Sequence, residues 1–144
     1  SARGVETYYT DTYSSLKARS AEDEADPALQ NIDWNHVDIR EKVRGSHRFA
    51  VEVQRSLYST LAAKNPDLPN RGVKEAHYVV LTGTAMPAIL AEVSFVSSPT
   101  DENNLRNPAY RQKIAEALYQ GISHYAQESS HTKLASASLK TIGR

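Results

Sequence analysis

Ala85-Met86-Pro87-Ala88-Ile89-Leu90-Ala91-Glu92-Val93-Ser94-Phe95-Val96-Ser97-Ser98 is the stretch on which the fold turns. Pro87 fixes an entry, and Ala88 to Val93 form a nearly continuous apolar run of strand length. Strands buried on both faces of an α/β sheet read this way and normally carry no charge. Glu92 interrupts the run, and an ionised carboxylate is costly there unless a metal, a cation or hydrogen bonds compensate it. Two readings stand side by side: a partly exposed Glu at a strand end, or a carboxylate presented where open α/β sheets carry their chemistry.

Tyr78 to Leu81 is a second apolar stretch and reads as a strand starting near Ala76. Only Thr82 to Pro87 separate it from Ala88, too short for a helical parallel crossover. The strand of Glu92 therefore pairs antiparallel or lies further off in the sheet. Upstream, Phe49, Val53, Leu57 and Leu61 recur every four residues, which predicts an amphipathic helix over about 46–64 with Ser46 as its N-cap. Val5 to Thr10 is β-rich, so a βαβ unit would set 5–10 parallel to 76–81. Downstream, Thr100 and the acids after it suggest a short helical turn. Asn107-Pro108 then opens a helix whose apolar face runs through Ile114, Leu118 and Ile122. After Ala126 the composition turns to Ser, Thr, Ala and Lys and reads as a polar tail, 127–144. The fold class expected is α/β, a mixed, mostly parallel sheet flanked by helices.

Between Glu22 and Lys42 the six acids Glu22, Asp23, Glu24, Asp26, Asp33 and Asp38 come ahead of the first base, Arg40, so about 17–45 reads as an acidic insertion. It is either a solvated surface segment or a lid or regulatory element docking through Ile32, Trp34, Val37 and Ile39. The chain has 144 residues, enough for one domain with a sizeable core. With 17 basic and 17 acidic residues it has no net charge to draw nucleic acid or an anionic membrane. It has no cysteine, hence no thiolate or disulfide chemistry, and no apolar run long enough for a membrane span. It begins at Ser1 without an initiator Met, as a cleaved, truncated or processed product would. His36, His47, His77, His124 and His131 lack the spacing of a zinc site, and no Gly-rich phosphate loop or G-x-S-x-G turn is present. No acid or base partner for Glu92 can be named from spacing, which weakens a metal-free carboxylate hydrolase.

Met86-Pro87, the aliphatics to Ala91, Glu92, Phe95-Val96 and Ser97-Ser98-Pro99 resemble the carboxy-terminal signature of zinc-dependent N-acetylmuramoyl-L-alanine amidases. Arg3-Gly4-Val5-Glu6-Thr7-Tyr8-Tyr9, Asn70-Arg71-Gly72-Val73-Lys74, Tyr78-Val79-Val80-Leu81, Tyr110-Arg111 and Gly121-Ile122 match further elements, so the likeness spans about residues 3–126 apart from the insertion. Ser94 stands where the family usually has Gly, and Ser98 where it usually has Asn. The resemblance implies that 1–126 is the carboxy-terminal part of the catalytic domain of a peptidoglycan hydrolase. That enzyme would cleave the amide between N-acetylmuramic acid and L-alanine. Glu92 would be the general base and acid, with Arg71, Thr82 and Met86 lining the cleft. One zinc is implied, bound by two His and a Glu that would lie before Ser1, so the chain alone is expected to be inactive. Peptidoglycan or muropeptides, the amino-terminal half of the domain or a second copy, and a regulatory protein at 22–42 are the implied partners. The location implied is the periplasm, cell envelope or exterior. The reading from another class is a non-catalytic module that binds cell wall or regulates an amidase.

Overall fold

The computed structural model describes residues 2–12, 14–15 and 36–142, with side chains through His131. Its regular elements are β1 (Val5–Tyr9), α1 (Ile39–Ala62), β2 (Asn70–Glu75), α2 (Val79–Thr82), β3 (Leu90–Glu92), α3 (Pro99–Arg106) and α4 (Pro108–Ile142). The strands form one sheet in the order β2-β1-β3. β1 pairs with β2 in parallel and with β3 antiparallel. The sheet is therefore mixed and not mostly parallel, which corrects the expected fold class. The crossover from β1 through α1 is a parallel βαβ unit, but it returns on Asn70–Glu75 and not on 76–81, and the strand of Glu92 takes the antiparallel option.

The second strand is not the apolar one. Val79 to Thr82 turn helically, with Leu81 and Thr82 N–H donating to Tyr78 C=O at 2.9 and 3.1 Å. Val79 and Val80 point outward, 76% and 69% exposed, so their hydrophobicity does not mark a core strand. The polar Asn70-Arg71-Gly72-Val73-Lys74-Glu75 pairs with β1 instead. β-Propensity reflects fit to a half-buried surface, and a strand whose outer face carries a polar cluster has no need of an apolar pattern.

α1 begins seven residues earlier than its apolar stripe suggests. Asp38 is the N-cap, its carboxylate accepting from Glu41 N–H at 3.0 Å. The buried face of its first turns consists of Ile39, Lys42, Gly45 and Ser46, a helical spacing that hydrophobicity alone conceals. Lys42 donates to the carbonyls of Leu81 and Thr82 at 3.1 and 2.9 Å, satisfying backbone acceptors at the end of α2. Beyond it, Val53, Leu57 and Leu61 meet Val5, Leu68, Ile114 and Ala117 in the core between α1, α4 and the sheet. α4 continues through the stretch expected as a tail, as far as Ile142. Of the acidic insertion, residues 17–35, with Ile32 and Trp34, lie outside the described residues. No helix among the described residues is long and apolar enough to cross a membrane.

Asp101 ties the start of β1 to α3. It is 1% exposed, and its Oδ2 accepts the N–H of Gly4 at 3.0 Å and of Phe95 at 3.2 Å, with Arg3 Nε at 3.5 Å from Oδ1. Removing the carboxylate would leave two backbone donors and a cation without their acceptor. Asp101→Ala is expected to cost about 3 kcal/mol in urea unfolding, the scale of breaking a buried pair. A loss below about 1 kcal/mol, an ordinary surface effect, would show that this anchor is dispensable.

Candidate active site

β1 is the central strand, so its register decides what meets what. Glu6 lies opposite Glu92 on β3 and opposite Gly72 on β2, while Tyr8 lies opposite Leu90 and Lys74. Side chains two apart share a sheet face. Glu6, Tyr8, Lys74 and Glu92 therefore gather on one face. Thr7 points the other way, its hydroxyl donating to Gln54 of α1 at 2.9 Å.

Arg71 joins the first group because the ladder slips. The partner of Val5 is Asn70 but that of Glu6 is Gly72, leaving Arg71 as an extra residue in β2. Such bulges redirect a side chain, and the positive φ of Gly72, 78°, provides the backbone geometry glycine adopts most readily. Arg71 Nε then reaches Glu6 Oε2 at 2.7 Å. Lys74 Nζ contacts the same oxygen, and the Tyr8 hydroxyl donates to Oε1 at 2.8 Å. Aromatic rings frame the cations: the Arg71 guanidinium sits 5.1 Å from the Phe95 ring centre, and Lys74 Nζ 5.7 Å from that of Tyr8. Tyr8 in turn packs edge-on against Tyr78, with centroids 5.4 Å apart.

The two carboxyls differ in electrostatics. Glu6 is 2% exposed, and burial pushes its pKa up, but Lys74, the Tyr8 hydroxyl and Arg71 together bring it down to about 2. Glu92, the half-buried last residue of β3, is shifted upward. Burial contributes most, followed by a hydrogen bond and the negative charge of Glu6, against partial relief from Lys74 and Arg71. One acid is thus a fixed anion and its neighbour holds a proton more readily than usual. Divergence of this kind separates a charge-fixing group from a proton-transfer group.

Of the residues singled out by sequence, Glu92 and Arg71 belong to this cluster. Thr82 closes α2 and is buried, its carbonyl accepting from Lys42. Met86, 67% exposed, lines an apolar groove with Val80, Pro87, Leu118 and Ile122. Glu6 and Lys74 are not among the residues singled out by sequence. A signal for Glu6 existed: it is the single charge in Val5–Tyr9, as Glu92 is in Leu90–Glu92. The histidines are dispersed: His47 packs on the Tyr9 ring, His77 on Asp11 at 3.0 Å, and His124 lies 3.9 Å from Glu52.

A zinc ion does not fit these residues. Among the described residues, no three His, Cys, Asp or Glu side chains converge as ligands. Both oxygens of Glu6 are engaged by Tyr8, Arg71 and Lys74, and those two cations would repel a metal beside it.

Residues 1–124 match the family model Amidase_3, described as N-acetylmuramoyl-L-alanine amidase. The chain is 32% identical over 123 residues to a probable cell wall amidase, LytH, of Staphylococcus aureus, covering 80% of this chain and 40% of that protein. It is 38% identical over 80 residues to the uncharacterised protein YqiI of Bacillus subtilis, covering 56% of this chain and 36% of that one. The crystal structure of an N-acetylmuramoyl-L-alanine amidase from Clostridium difficile 630 superposes with a TM-score of 0.61 at 26% identity, over 88% of this chain and 50% of that one. The chain thus spans half or less of the length of these relatives.

Proposed function

Because the chain belongs to the N-acetylmuramoyl-L-alanine amidase family, we propose that it carries the proton-handling part of a site hydrolysing the amide between N-acetylmuramic acid and L-alanine in peptidoglycan. The observation that carries this reading is the placement of Glu92 at the end of β3, across from a clamped Glu6 that favours its protonated form. Amide hydrolysis requires a base for the attacking water and an acid for the departing amine, and one carboxyl can serve both in turn. Glu92 takes the proton as the C–O bond forms and returns it to nitrogen as the C–N bond breaks. Arg71, its side chain 35% exposed, is the cation we assign to the substrate side of the cluster.

Zinc is implied by the family resemblance; when bound, such an ion polarises water and a carbonyl. In this reading its ligands belong to residues outside those described. The substrate puts the protein in the cell envelope. The reading from another class, a wall-binding or amidase-regulating module without catalysis, makes a different prediction about products.

The test is to incubate the full-length protein, supplied with zinc, with purified peptidoglycan and identify what is released by mass spectrometry. Stem peptides with a free L-alanine amine, and glycan strands whose lactyl groups carry newly freed carboxylates, are the expected products. New reducing sugar ends without free stems would mark a glycosidase, and sedimentation with peptidoglycan without release would favour the binding module.

A further inference from the structure

We propose that Glu6 is a positioning residue for Glu92: clamped by Lys74, Arg71 and the Tyr8 hydroxyl, it faces Glu92 across the β1–β3 pair and sets which oxygen of Glu92 meets the substrate. The inference rests on the assignment of Glu92 to proton transfer. During hydrolysis the proton lost by water rides on Glu92 until the amine nitrogen takes it, and no other species is consumed. While it rides there, the neutral carboxyl has one O–H, which needs an acceptor if it is not to rotate freely. Glu6 is that acceptor. It is buried, its backbone is fixed in the central strand, and its three donors hold it as an anion, so it receives the hydrogen bond without taking the proton. The acceptor has to be rigid because placement errors of 1 Å cost about a hundredfold in rate.

The groups facing Glu92 are Glu6 and Tyr8 from β1 and Lys74 and Arg71 from β2, so two substitutions should act in opposite directions. Glu6→Gln removes a like charge and should move the Glu92 titration down in pH. Lys74→Met removes a favourable cation and should move it up. Both are read by carbon NMR of labelled carboxyls in the full-length holoprotein, independently of activity. In turnover, Glu6→Gln should lower kcat about 10- to 100-fold with KM little changed. The acid limb of the pH profile should shift with the carboxyl titration.

If the wild type releases no stem peptides, the amidase reading fails, and the carboxyl titrations still decide whether Glu6 governs Glu92. A Glu92 titration that stays put in folded Glu6→Gln, or moves the same way in both variants, overturns the proposal. Should Glu6→Gln not fold, Lys74→Met and Tyr8→Phe, which removes one donor to Glu6, carry the test. Tyr8→Phe should raise the pKa of Glu6 and lower kcat, and no change in either defeats the assignment.

Discussion

Glu92→Gln is expected to lower amide hydrolysis by about 10²- to 10⁴-fold, the usual loss when a general acid–base group is removed. The same variant should be more stable than the wild type at neutral pH. The sign follows from linkage: a carboxyl whose folded pKa lies above its unfolded value of 4.5 favours folding while protonated. That contribution is fully present below the unfolded value and is lost as pH rises through the folded one. Glutamine is neutral throughout, so the stability difference should open from the ordinary carboxylate range upward. A gain of about 1 kcal/mol is the scale of relieving like charges directly opposite on neighbouring strands. Glu6 works in the other sense. Its folded value of about 2 gives stability present above 4.5 and lost as the pH falls toward 2, in wild type and variant alike. Melting curves from pH 3 to 8 on both proteins, with metal content measured alongside, separate the two acids. A variant that loses stability relative to wild type as pH rises would contradict the electrostatics of the pair. Loss of zinc would make Glu92 a ligand and not the proton carrier.

Half of this site was legible in the amino-acid sequence because a lone acid in an apolar strand is conspicuous. Glu92 could be singled out without knowing what faced it. Glu6 and Lys74 could not be tied to it, because their meeting depends on register. The pairing of Glu6 with Glu92 needs β3 to run antiparallel on one side of β1, and the reach of Lys74 and Arg71 needs β2 to run parallel on the other. Apolar content pointed to Tyr78–Leu81 as the second strand, but those residues form a turn of helix with two valines in water. A strand whose outer face holds Lys74 and Arg71 hides its identity from any hydrophobic pattern. The start of α1 is hidden for a similar reason, since the groups it buries there include an ammonium and a hydroxyl.

The largest stability loss from a single methyl group is expected at Gly4. Its φ is 101°, a region that L side chains avoid, and a Cβ built there would lie 2.1 Å from the Pro69 carbonyl oxygen. That oxygen is the acceptor of Val5 N–H at 3.2 Å, the contact that starts the β1–β2 alignment. The Gly4 N–H is itself held by Asp101. An alanine therefore cannot relieve the collision without giving up the first rung of the sheet or the anchor to α3. An unfavourable left-handed conformation costs about 1–2 kcal/mol, and overpacking against fixed groups typically adds about 1–3 kcal/mol. Gly4→Ala should thus lose about 3 kcal/mol or more. At about 2–4 °C per kcal/mol this lowers Tm by about 10 °C. Gly72→Ala is the internal control: φ there is also positive, 78°, but the added Cβ meets nothing within 4 Å. It should lose only the conformational part, about 1–2 kcal/mol. The excess loss at Gly4 isolates the collision with Pro69. Because Glu6 lies two residues along the same strand, Gly4→Ala should also loosen the clamp on its carboxylate and move its titration up toward 4.5. Equal losses at the two glycines, with Glu6 titrating unchanged, would mean that the approach of Pro69 does not set the register on which the site depends.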